Sequence, residues 1–192
     1  MIIIKKSELK LIPGSKLPLR KAEKVDFNEV DAHMLTNIMF DRMSEMGGAA
    51  LSAPQVGLDM SMFVMGIDHA RVEVFNPVIV SCSKEETLMN EGSLTYPGIL
   101  VIVKRPVAVT VEYYDKNGIL QQNEFQGLTA RIFQHAYDHL QGITIKEKVS
   151  KLKWDMATKR LNNYKSKLVK KYTQKKLLEI KKAMKEQTNG NT

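Results

Sequence analysis

At Gly127 the spacing of apolar residues along this chain changes from two to three and four. Before it, Val107, Val109, Val111 and Tyr113 alternate with other residues, the pattern of a strand with one buried face. Asp115-Lys116-Asn117-Gly118 then supplies turn chemistry, so a hairpin into a second strand is expected around Leu120 to Phe125. After Gly127, Leu128, Ile132, Phe133, Ala136 and Leu140 fall at helical spacing, and Gln141-Gly142 ends the run. Strands that feed directly into an amphipathic helix point to an α+β domain with that helix packed on sheet.

The upstream half fits the same class. Asp26 to Met46 reads as a helix, with Val30, Met34, Leu35, Ile38, Met39, Met43 and Met46 at helical spacing. Asp26 and Glu29 have the spacing of a capping box, and Gly47-Gly48 supplies a stop. Methionines on such a stripe fill core volume. Met62 to Ile67 is a short strand-like run; Val72 to Val80 is another, interrupted by Asn76-Pro77. The apolar part of MIIIKK is too short for a secretory signal and reads as a first strand or an extended arm. No apolar run is long enough to span a bilayer, so no membrane partner is expected. The single cysteine, Cys82, leaves no internal disulfide and makes the cytoplasm the default location.

Charge divides the chain more sharply than hydropathy does. The net charge is +8, yet residues 151–187 hold 13 Lys/Arg against Asp155, Glu179 and Glu186. Residues 1–150 are therefore close to neutral, and a strongly basic segment follows. From about Lys151 to about Lys185 the chain reads as helix, with Leu152, Met156, Leu161, Tyr164, Leu168 and Tyr172 as a rough apolar stripe beneath the lysines. Asn189 to Thr192 is expected to fray. The expected division is a globular domain over 1–150 and a basic helical extension over 151–192.

Three stretches carry chemistry. His135 and His139 lie one helical turn apart, so both imidazoles can face one cavity. That spacing suits two metal ligands, and it equally suits two histidines satisfied by their neighbours. Gly48 to Gly57, GAALSAPQVG, combines small residues that let a peptide backbone come close with Gln55, whose amide N–H can meet a polarised carbonyl; read plainly it is a loop. The third stretch is Glu91 to Gly98, EGSLTYPG.

In this order the three stretches resemble the motifs of the peptide deformylases, which remove the formyl group from the initiator methionine of new chains. The family pattern is GxGLAAPQ, then EGCLS, then HExDH; here it stands as GAALSAPQ (48–55), EGSLT (91–95) and HAYDH (135–139). VKRPVAVTVEYYDKNG and GLTARIFQHAYDHLQG are also similar to the family's surroundings of these motifs, and the resemblance covers about residues 1–150. It implies antiparallel sheets around a central His-bearing helix, with a basic C-terminal helix beyond. It also implies one divalent metal ion, Fe²⁺ in the family with Zn²⁺ or Ni²⁺ as alternatives. By position the ligands are Ser93, His135 and His139. The oxyanion donors are Gln55 and the backbone of Leu94, Gly48 and Ala50 line the peptide groove, and Ala136 stands at the family's catalytic Glu. Asp138 and Arg105 match a structural ion pair of the family, which would brace the His helix; an ordinary surface pair is the alternative.

The departures decide how much activity is expected. Ala50 for Gly is minor. Ser93 stands where the family has a Cys ligand, and a hydroxyl is a far poorer donor to iron or zinc than a thiolate, so metal is expected to be weakly held or absent. Ala136 carries no proton, and losing a general acid/base commonly costs ~10²–10⁴-fold. Cys82 reads as a small buried residue and not a substitute ligand. Asp138 lies roughly 200° further round the helix than Ala136, from the ~100° turn per residue, and cannot stand in for the Glu. The first expectation is a deformylase-type protein with very low activity on N-formylmethionyl nascent peptides; the alternative is a non-catalytic homologue that binds nascent peptides or the ribosome. The basic tail suits docking on ribosomal RNA, and a plain RNA-binding domain is the remaining rival.

Overall fold

The computed structural model describes residues 4–67 and 70–189. The chain divides into two compact units at the junction of Ser150 and Lys151. In the first unit, α1 (Ala32–Glu45) precedes β1 (Ala50–Ser52), β2 (Met62–Ile67), β3 (Ala70–Cys82), β4 (Glu86–Ser93), β5 (Tyr96–Pro106), β6 (Ala108–Tyr114) and β7 (Leu120–Gln126). The chain then enters α2 (Gly127–Leu140), and the second unit is α3 (Lys151–Asn189). β1, β2, β3, β6 and β7 form one antiparallel sheet in that order, and β4 and β5 form a separate hairpin.

β2 explains how the first unit is layered. Its residues Met62, Phe63, Val64 and Met65 are all fully buried, because successive side chains point to opposite faces and both faces are covered. Phe63 and Met65 pack with Val109, Val111 and Tyr113 of β6 and with Ala130, Phe133, Ala136 and Leu140 of α2. The Phe63 and Phe133 rings meet edge to face at 5.1 Å. Met62 and Val64 pack on the other side with Leu35, Met39, Phe40 and Met43 of α1. Met39 and Met43 of the methionine stripe are thus core, as their spacing predicts, with Met46 packed against them and Met34 half-buried. The alternating face of β6 is buried at Val109, Val111 and Tyr113, and α2 closes at Gly142, whose φ of 72° continues the chain where a side chain would be strained.

Several elements differ from their sequence reading. α1 starts at Ala32, not at Asp26, because Asp31 is the N-cap: its carboxylate accepts from Met34 N at 2.9 Å. Asp26 instead closes a turn, accepting from Asn28 N at 2.8 Å, while Phe27 packs against Phe75 at 5.2 Å. β3 runs through Asn76-Pro77 with a register shift between Phe75 and Val78. Asn76 sits at φ 49°, where its amide pairs with both backbone groups of Val25, accepting from N at 2.8 Å and donating to O at 2.9 Å. Of MIIIKK, Met1 to Ile3 lie outside the described residues; Ile4 is buried, and a single 3₁₀ turn follows at Lys6–Glu8. Cys82 is exposed at the end of β3, not buried. The expected fraying falls mostly on residues 190–192, outside the described residues. No helix among the described residues is long and apolar enough to cross a membrane.

Candidate active site

The three motifs occupy three different elements. GAALSAPQ runs from the end of α1 through β1 into a 3₁₀ turn at Ala53–Val56. EGSLT forms the tip of the β4–β5 hairpin, where Ser93 pairs with Tyr96 and only Leu94 and Thr95 make the turn. HAYDH lies on α2. A cavity of about 440 Å³ opens where they meet. Gly48, Ala50 and Gln55 line it from the first motif, Ser93 and Leu94 from the second, and His135 and Ala136 from the third. His139 is buried behind that lining, its ring 5.2 Å from the His135 ring.

Local bonds fix the orientation of these groups. Gln55 is buried, and its Oε1 accepts from Ser52 N at 3.0 Å, so the side-chain NH₂ is the end left to meet a ligand. Ser52 Oγ donates to the Ala136 carbonyl at 2.9 Å and ties the first motif to the third. The Ser93 and Thr95 hydroxyls share a hydrogen bond of 2.8 Å.

Beneath the cavity lies a charged cluster that the sequence reading saw only in part. Glu91 is buried and is met by four donors. Arg105 gives Nε to Oε1 at 2.7 Å and Nη2 to Oε2 at 2.9 Å, Arg131 gives Nη1 to Oε1 at 2.6 Å, and His135 Nδ1 lies 3.0 Å from Oε2. Burial alone would raise the Glu91 pKa, but the His135 and Arg105 hydrogen bonds outweigh it and hold the group at about 2. Arg105 also donates to Asp138 Oδ2 at 2.7 Å, so buried Arg105 and half-buried Asp138 form a brace between β5 and α2, not a surface contact. Arg131 adds bonds to the carbonyls of Thr87 at 2.8 Å and Val103 at 3.1 Å, pinning α2 to the hairpin. The signal for Arg131 was present: a basic residue one turn before His135 and two before Asp138 on the same helix face.

The imidazoles are suited to donate to a metal, and the third position is not. With Nδ1 directed at Glu91, His135 has Nε2 left for a ligand; a carboxylate on the far nitrogen commonly orients a metal-binding histidine in this way. His139 Nε2 is buried without a hydrogen-bond partner. Burial, aided by the charges of His135 and Arg105, pushes the His139 pKa down to about 3, which keeps the ring neutral. Among the described residues, however, no three His, Cys, Asp or Glu side chains gather as a metal site. Two imidazoles and a serine hydroxyl fit a loosely held ion. Cys82 is not among the residues lining the cavity.

Comparison with known proteins identifies the family. The family model described as polypeptide deformylase matches residues 13–155. A peptide deformylase of Treponema pallidum is 38% identical over 135 residues, covering 69% of this chain and 83% of its own; one from Thermotoga neapolitana is 37% identical over 123 residues, 64% of this chain and 75% of its own. Among solved structures, the peptide deformylase of Thermotoga maritima superposes with a TM-score of 0.70 at 33% identity, over 74% of this chain and 97% of its own. A plant peptide deformylase superposes with a TM-score of 0.77 at 30% identity, over 88% of this chain and 96% of its own. By sequence and by fold alike, this chain belongs to the polypeptide deformylase family.

Proposed function

We propose that this chain receives the N-formylmethionyl end of a nascent peptide in the cavity between β1, the β4–β5 hairpin and α2, and hydrolyses the formyl group only very slowly. The observation that carries the reading is the orientation of Gln55. Its oxygen is held by Ser52 N, which leaves its N–H bonds to meet a carbonyl oxygen beside His135 and Ala136. The Leu94 N–H is the second donor by position. Gly48 and Ala50 allow a peptide backbone to lie close.

A divalent ion, when bound, supplies Lewis acidity at the formyl oxygen. His135 and His139 would hold it, with Ser93 as a weak third donor. The rest of the reaction lacks its proton carrier. Attack of water on the formyl carbon releases a proton, and cleavage of the C–N bond needs one on the leaving amine; Ala136 can serve neither. Glu91 is no substitute, since four donors occupy it and it is not basic near neutral pH. The α3 lysines at 165, 167, 170 and 171 are exposed and suit contact with ribosomal RNA, and the cytoplasm is the matching location.

Formate release from an N-formylmethionyl tripeptide tests the reading, with protein loaded anaerobically with Fe²⁺ or with Ni²⁺. Peptide binding with turnover far below that of an intact family member is expected. Turnover at the intact level, or no binding of the peptide at all, would overturn it.

A further inference from the structure

We propose that residues 12–22 form a positioning strap that holds all three motif-bearing elements in one register, with Gly14 as its critical residue. This stretch contains no strand and only a single 3₁₀ turn at Gly14–Lys16. Its backbone nevertheless donates to each motif element in turn. Ile12 N bonds the carbonyl of Gln55 at 2.8 Å, Gly14 N bonds the carbonyl of Thr95 at 3.0 Å, and Ala22 N bonds the carbonyl of Leu140 at 2.8 Å. The first of these holds Gln55, whose side-chain N–H is the proposed donor to a substrate carbonyl. The second holds the residue after Leu94, the backbone donor. The third holds the C-terminal end of the His helix, one residue past His139. The three elements come from separate parts of the chain, and the strap is one short segment bonded to all of them.

The strap meets its neighbours closely at two points. A Cβ on Gly14 would sit 2.0 Å from the Tyr96 ring, and one on Gly142 would sit 2.4 Å from Arg20 N. Tyr96 follows Thr95 directly at the start of β5. Crowding at Gly14 therefore pushes on the same hairpin tip that Gly14 N holds. Gly14 touches none of the lining groups' reactive atoms; it acts through Thr95 and Leu94, as a positioning residue.

The role rests on the proposed reading of Gln55 and Leu94 as carbonyl-facing donors, and the test separates the two. Backbone amide exchange is measured on the full chain, its Gly14→Ala and Ile12→Pro variants, and the double variant Gly14→Ala/Tyr96→Ala. Gly14→Ala is expected to speed exchange roughly five- to ten-fold, about the ratio for one ordinary hydrogen bond lost, over 52–57 and 93–96, with β2, β3 and β6 unchanged. Ile12→Pro removes the N–H that bonds Gln55, together with the Ile side chain beside Gly57, and leaves Gly14 in place; it is expected to open 52–57 without 93–96, so the test survives if Gly14→Ala folds poorly. Removing the Tyr96 ring is expected to restore the Gly14→Ala chain. Changes confined to residues 12–17, or spread equally over the main sheet, would overturn the strap. In a Ser93→Cys/Ala136→Glu background, Gly14→Ala is expected to lower kcat roughly ten-fold with KM within about two-fold, as for a displaced oxyanion donor. If the parent chain binds no N-formylmethionyl tripeptide, the functional reading fails, and the exchange pattern still decides the strap.

Discussion

On the proposed reading, Ser93 and Ala136 account for two separable losses. Cys in place of Ser93 restores a thiolate, so Ser93→Cys is expected to raise metal retention after dialysis with little gain in turnover. Glu in place of Ala136 restores the proton carrier but not the ion. The double variant is expected to exceed either single one, with formate release rising by at least ~10²-fold, the low end for recovering a general acid/base. Additive small gains would mean that the two positions do not meet at one reacting centre. Glu91 makes a different prediction. Its ordinary pKa of 4.5 falls to about 2 in the folded chain, so its ionised form favours folding. That contribution is complete above pH 4.5, fades as the pH falls toward 2, and amounts to roughly 3 kcal/mol. Glu91→Gln leaves Arg105 and Arg131 buried without their carboxylate and is expected to cost about 3–5 kcal/mol at pH 7. Urea unfolding at pH 7 and pH 3 checks this: the gap between parent and variant should narrow at the lower pH.

Among the elements, α1 offers a direct test of where a helix begins. The Asp31 carboxylate holds Met34 N, while Asp26 lies in the preceding turn. Asp31→Ala is expected to destabilise by about 1 kcal/mol in chemical denaturation, and Asp26→Ala by less. The capping-box spacing of Asp26 and Glu29 pointed to the earlier start; with Phe27 packed on Phe75 the chain turns there, and the helix begins at Ala32. β6 and α2 were legible because each buries one face and so keeps a clean period; β7, which has no buried residue, was legible from the Asp115–Gly118 turn before it. β5 was not, because Ile99, Val101 and Val103 point inward while Leu100 and Ile102 lie exposed, leaving a continuous apolar run without alternation. The site shows the same division. The His pair is local, so its spacing can be read from the chain. The Glu91 cluster joins residues 14, 40 and 44 apart in sequence, and no periodicity reports such a pairing. The family resemblance found the motifs but said nothing of the strap, whose contacts are main-chain bonds that leave no side-chain pattern to read.

Across the whole molecule, chemistry and charge belong to different units. The first unit holds the cavity and is close to neutral, while α3 carries the basic residues. Residues 162–177 of α3 are exposed throughout, including Tyr164, Leu168 and Tyr172. An exposed basic helix with aromatic side chains can bind RNA by charge alone or by charge with stacking, and salt dependence separates these. Binding by charge releases counterions, so log K falls linearly with log salt, by about 0.7–0.9 per phosphate neutralised. Replacing Lys165, Lys167, Lys170 and Lys171 by Gln should therefore weaken binding to ribosomal RNA and reduce the slope by roughly 3, if each lysine meets one phosphate. Tyr164→Ala and Tyr172→Ala should leave the slope unchanged, and a loss of affinity in these variants would assign the aromatic rings to the contact. Binding measured between about 50 and 200 mM salt decides between the cases. A slope untouched by the lysine changes would place the RNA contact elsewhere and leave α3 as a solubilising helix.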